Sequence, residues 1–143
     1  MALATVSTRL SVAGLLGIAA LHVNWATGSP WPLPDRESLA DRVVGRSGGK
    51  VPGPAACLAV AGLLTAAAGF VAGRPRGHPP LSRLGAAGVV SVLGLRGGLG
   101  LAGRTDVVSP GSVSAEFRER DRRLYSPLVL TLAGLALPAV RRR

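Results

Sequence analysis

A single cysteine, Cys57, excludes an internal disulfide, a CxxC redox pair and a thiolate zinc cage. It opens an apolar run and reads as a small hydrophobe. Aromatic residues are nearly as scarce: two Trp, two Phe and one Tyr in 143 residues. That is thin material for a soluble core of this size. Seven Asp and Glu face 17 Lys and Arg. The two histidines, His22 and His78, are far apart, so no metal site is expected and no cofactor is implied. No Gly-rich phosphate loop, Gly-x-Ser-x-Gly elbow or pair of carboxylates within an apolar run occurs, so no nucleophile–base constellation is visible.

What the chain has instead is four apolar runs: Leu10–Ala26, Pro54–Gly73, Leu84–Gly103 and Leu124–Val140. Mean hydropathy is +0.37, and the second run holds no charge at all. At a rise of ~1.5 Å per residue, even the shortest runs reach roughly 25 Å, enough for a thin bilayer. None alternates with period 2, which argues against a membrane barrel. The expectation is an all-α integral membrane four-helix bundle, one domain over residues 1–143 with loops at 27–53, 74–83 and 104–123. A secretory signal peptide, with Arg9 as its basic region and small residues near Ala26, is the rival reading of the first run. Gly69–Gly73 and Gly94–Gly98 have the GxxxG spacing that lets helices approach closely.

A sequence pI near 11.8 would ordinarily raise nucleic acid as a partner. Here the basic residues lie at the ends of apolar runs instead of along one polar face, so no nucleic-acid partner is expected. Such flanking charges act as topology signals. Arg9, Arg74, Arg76, Arg83 and Arg141–Arg143 lie on one side of a four-span bundle, seven basic residues with no acid. The opposite loops carry nine basic residues and all seven acids. The acid-free segments are shorter and closer to the helix ends, where the rule acts most strongly. Both termini are therefore expected in the cytoplasm of a cell-membrane protein, with Trp25, Trp31, Phe117 and Tyr125 at the outer face.

Arg96 is the one charged residue well inside a run, and a bilayer requires it to be paired, wetted or functional. Asp121 is the nearest acid that also faces an apolar side. In residues 114–125, Phe117, Asp121, Leu124 and Tyr125 share one side of a short interfacial helix, and arginines cover the rest. Ser126-Pro127 has the N-cap and N1 pattern that would open the fourth span. In the favoured topology Arg96, Asp121, His22, Trp25 and Tyr125 converge at one depth below the outer surface, as a ligand-binding or structural polar cluster. His22 and Trp25 share a helix face.

Three patches carry a family resemblance: Leu21-His22-Val23-Asn24-Trp25-Ala26-Thr27-Gly28, Leu95-Arg96-Gly97 and Asp121-Arg122-Arg123-Leu124-Tyr125-Ser126-Pro127-Leu128. With the spacing of the runs, they resemble small four-span bacterial membrane proteins catalogued as domain of unknown function 3995. The resemblance implies an integral membrane protein and brings no activity with it. The leading functional expectation is a non-enzymatic binding or accessory component with membrane lipid as a partner and homo-oligomers possible. Two other classes stand beside it: a membrane-embedded enzyme using His22 and Asp121 as acid and base on a lipid-like substrate, and an oligomeric small transporter subunit.

Overall fold

A computed structural model describes residues 2–46, 50–108, 110–111 and 114–141. Among these residues every regular element is helical: α1 (Ala2–Ala26), α2 (Arg36–Leu39), α3 (Pro54–Val71), α4 (Pro79–Leu101), α5 (Thr105–Val108), α6 (Ala115–Arg120) and α7 (Ser126–Val140). Two π-helical turns join them, Ala40–Val44 after α2 and Asp121–Tyr125 between α6 and α7. Four helices are long and apolar enough to cross a bilayer: Leu3–Ala26, Pro54–Val71, Pro79–Leu101 and the continuous stretch Ala115–Val140.

The helix ends differ from the edges of the apolar runs for local reasons. α4 starts at Pro79, because prolines at the first two helical positions lack only N–H groups that no carbonyl would have accepted. The prolines that end α3's neighbourhood thus begin the next helix. α1 extends back past Arg9, whose side chain is exposed. The expected Ser126-Pro127 helix start is not a start. The capping residue is Ser114, whose Oγ accepts from the Phe117 N–H at 3.3 Å, and the helix then runs through to Val140. Inside a regular helix the Pro127 ring would crowd the carbonyl four residues back. The π turn immediately before it opens the spiral, with the Ser126 N–H reaching back to the Asp121 carbonyl. The short interfacial helix is therefore the first part of the fourth long helix.

α1 packs against α3 and α7, and α4 packs against α7 and α3, placing α1 and α4 at opposite corners of the bundle. Leu15, Ala68, Val71, Ala86, Leu132, Ala136 and Ala139 form the core. Large apolar residues point outward: Leu63 and Leu84 are each 71% exposed, and Leu95 is 66% exposed. So many exposed aliphatic side chains on four long helices suit acyl chains and not water. Polar side chains between helices are satisfied by backbone, as lipid surroundings require. Ser11 Oγ donates to the buried Leu132 carbonyl at 3.0 Å, and Ser7 Oγ donates to Leu135 at the same distance.

Close approach of α4 to α7 comes from Gly97 and Gly100, not from the GxxxG pair. A Cβ on Gly97 would lie 2.5 Å from Leu130 Cγ and 3.0 Å from the Ser126 carbonyl oxygen. Gly94 and Gly98 have nothing within 4 Å. Gly97→Ala should therefore lower the thermal midpoint in detergent. Its neighbour Gly98→Ala should hold or raise it, since Ala favours a helix over Gly by ~1 kcal/mol. A reversed order of the two midpoints would remove this contact from the fold.

Candidate functional site

The stretch from α6 into its π turn carries Asp121 under the end of α4, where the carboxylate is fully buried. Arg96 lies five residues before the end of α4, roughly 7–8 Å along its axis. Its Nη2 donates to Asp121 Oδ1 at 2.5 Å and its Nη1 to Asp121 Oδ2 at 3.4 Å. Ser126, one turn further on, is fully buried and works in both directions. Its hydroxyl accepts from Arg96 Nη1 at 3.3 Å and donates to Asp121 Oδ1 at 3.2 Å. Thr105 Oγ1, at the start of α5 and also fully buried, donates to Asp121 Oδ2 at 3.4 Å. The forked guanidinium matches the two carboxylate oxygens, and two hydroxyls complete the shell.

Gly100 makes room for this network. A Cβ there would fall 2.7 Å from Arg96 Nη1 and 2.7 Å from Asp121 Oδ2, and would collide with Ser126 Oγ. Arg96 retains 26% side-chain exposure while Asp121 has none, so the pair is reached from the arginine side. Among the described residues no buried side-chain polar atom is left without a partner.

Among the described residues His22, Trp25 and Tyr125 make no hydrogen bond to this pair. His22 and Trp25 stack edge to face at the end of α1, with ring centroids 4.9 Å apart. They line a separate cavity of about 280 Å³ enclosed by α1, the start of α3 and the first loop, with Leu39, Val43 and Cys57 among its walls. His22 Nδ1 lies 2.9 Å from the Ile18 carbonyl oxygen. A carbonyl only accepts, so Nδ1 carries the proton and Nε2 faces its surroundings without a hydrogen-bond partner among the described residues. Tyr125 ties the first loop to the fourth long helix. Its hydroxyl donates to the Arg42 carbonyl at 2.9 Å, and its ring lies 6.0 Å from that of buried Phe117. Arg42 in turn pairs with Glu116 at 3.1 Å.

The first loop is held over the cavity by further local bonds. Trp25 Nε1 and Asn24 Nδ2 both donate to the Trp31 carbonyl, at 2.9 and 3.2 Å. Asp35 caps α2 by accepting from the Ser38 N–H at 2.7 Å. That N–H, helped by the Ser38 hydroxyl, holds the Asp35 carboxyl below its ordinary value.

Five predicted residues thus divide between two places: Arg96 and Asp121 in one, His22 and Trp25 in another, with Tyr125 bracing the loop. Among the described residues no hydrogen bond joins His22 to Asp121. Sequence reasoning missed Ser126, Thr105 and Gly100. Ser126 read as a cap, and its i+5 spacing from Asp121 signals contact only once a π turn is known. Arg36 and Leu39, which line the cavity, carried no signal beyond lying in a loop. Among the described residues no group of three His, Cys, Asp or Glu side chains is placed to hold a metal ion.

The chain belongs to the family described as "Protein of unknown function (DUF3995)", whose signature matches residues 15–136. The match embraces both sites and all four long helices in whole or part. No curated protein and no solved structure matches the chain.

Arg96→Gln and Asp121→Asn should each destabilise the detergent-solubilised protein by ~3–5 kcal/mol, the usual cost of stranding one member of a buried pair. The double variant should lose less than the sum in denaturant unfolding, and simple additivity would show that the pair is not coupled. A second expectation concerns acid. A capping carboxylate with a lowered pKa contributes order above its ordinary value, and that contribution is lost as pH falls through the folded value. The protection factor of the Ser38 amide, its exchange rate relative to the unstructured rate at the same pH, should hold at neutral pH and fall only below the ordinary carboxylate range. Asp35→Ala should show low protection throughout, and equal protection factors in both proteins would discount the cap.

Proposed function

We propose that this multi-pass membrane protein is a non-enzymatic binding component of the cell membrane that holds a small amphiphile in the cavity beneath its first loop. The observation that carries the reading is the lining of that cavity. Aliphatic walls from Leu39, Val43, Val44 and Val60 meet a polar edge formed by His22, Ser29 and Arg36. Ligand sites are typically concave, mainly apolar and supplied with a few convergent polar groups. His22 Nε2 offers an acceptor to a hydroxyl head, and the Arg36 guanidinium offers donors to a carbonyl or anionic one.

Orientation belongs to the same proposal. The acid-free arginines at Arg9, in the loop between α3 and α4 and at the carboxyl end favour both termini in the cytoplasm. The cavity then opens toward the outer half of the membrane. Reporter fusions after Arg143 and within residues 29–53 should report opposite sides, and the same side for both would remove this topology.

Occupancy has its own test. Organic extracts of the purified protein should contain one amphiphile in stoichiometric amount. Ala56→Trp, which fills the cavity with an indole, should reduce the retained amount about tenfold, equivalent to ~1.4 kcal/mol. Equal retention by both proteins would place the amphiphile elsewhere.

A further inference from the structure

A second site follows from the charges around α5, α6 and the adjoining π turn. Residues 104–123 contain five arginines and four acids. Every acid is committed. Glu116 pairs with Arg42 and Arg120, Glu119 with Arg123, Asp106 with Arg104 and Asp121 with Arg96. The side chains of Arg118 and Arg122 have neither an ion pair nor a hydrogen bond among the described residues. They stand four residues apart, one helical turn, where like charges repel unless something neutralises them. Both line a cleft of about 480 Å³ with Arg123, Glu119, Thr105 and Gly103.

The position of the cleft narrows the ligand. It lies where α4 ends and its apolar surface gives way to polar chain, with Leu101, Val107 and Leu124 exposed at the neighbouring positions. Two uncommitted guanidiniums at such a boundary suit an oxyanion held at headgroup level above apolar chains. Guanidinium forks match the paired oxygens of a phosphate. We infer that Arg118 and Arg122 form a phosphate site that takes the headgroup of an anionic lipid, separate from the cavity beneath the first loop. A free phosphate offers the same chemistry, and the titration below separates the two sources.

Thr105 connects this site to the buried pair. It lines the cleft, and its hydroxyl donates to Asp121. A phosphate seated between Arg118 and Arg122 would therefore brace the wall that holds the Asp121 shell.

The experiment uses the purified full chain in uncharged detergent, titrated with dioctanoyl phosphatidylglycerol, dioctanoylglycerol and inorganic phosphate. Phosphatidylglycerol should bind saturably, and dioctanoylglycerol, which shares the chains and lacks the phosphate, should not. Arg118→Gln with Arg122→Gln should weaken phosphatidylglycerol about tenfold or more, as expected for loss of charge-assisted bonds. Arg46→Gln with Lys50→Gln removes the same charge from residues that line neither site, and should change affinity less than about twofold. Displacement of the lipid by millimolar phosphate supports the site with a soluble source, and failure to displace it supports the lipid source. Thermal midpoints within about 2 °C of the parent keep folding out of the comparison. Equal losses in the two double variants, or equal binding of dioctanoylglycerol, would overturn the inference.

Discussion

A guanidinium placed in an apolar helix has to be neutralised by something on another helix, and that requirement organises one side of this bundle. Arg96 alone in α4 would carry a transfer cost of ~2.5–3.5 kcal/mol on insertion scales. Its forked bond to Asp121 offsets that cost only because the carboxylate is itself fully solvated by protein hydroxyls from Thr105 and Ser126. Geometry on this scale needs α4 and α7 close together. Gly97 and Gly100 supply the closeness, one against the Leu130 side chain and the other against the polar atoms themselves. The π turn supplies the register, since it brings Asp121 and Ser126 to the same side of the helix. Charge, small residues and a widened turn are one device, and each part loses its purpose without the others.

The other side of the bundle is held differently. α1 meets α7 through hydroxyl-to-carbonyl bonds from Ser7 and Ser11, and Gly14 sits directly against Leu132. There is no charge at this contact. The first loop spans the gap between the two halves. It is tied to α1 through Trp31 and to the fourth long helix through Arg42, Tyr125 and Glu116. The cavity containing His22 and Cys57 is the space this brace leaves open. Its shape thus depends partly on Trp31, Arg42, Glu116 and Tyr125, which do not line it.

How far the sequence could be read depended on which residues were rare. Four apolar stretches marked the spans, and a single interior arginine facing a single well-placed aspartate marked their pairing. Both inferences rest on scarcity, because a bilayer leaves an isolated charge few solutions. Rotation about each helix axis was not legible. Apolar residues surround these helices, so no polar stripe tells which side faces a neighbour. That is why His22 and Trp25 were expected beside Arg96 but line the cavity between α1, α3 and the first loop. Glycine misled for the same reason. The GxxxG spacing pointed to Gly94 and Gly98, whereas Gly97 and Gly100 face the partner helix. Ser126-Pro127 was misread because a cap and a π turn look alike in sequence: both place a small polar residue before a proline.

The 25-residue interval between Arg96 and Asp121 also has a consequence for synthesis. The ribosome delivers the cation first, with α4 complete before its counter-ion exists as part of a helix. Released alone into lipid, α4 would carry an unpaired charge. Released with the helix that follows, it enters as a hairpin whose two arms neutralise each other. The short connection through α5 and the early start of the last helix at Ala115 bring the aspartate into helix well before the apolar part of α7 is made. The pair that locks the finished bundle is thereby also a reason for its last two spans to be inserted as a unit.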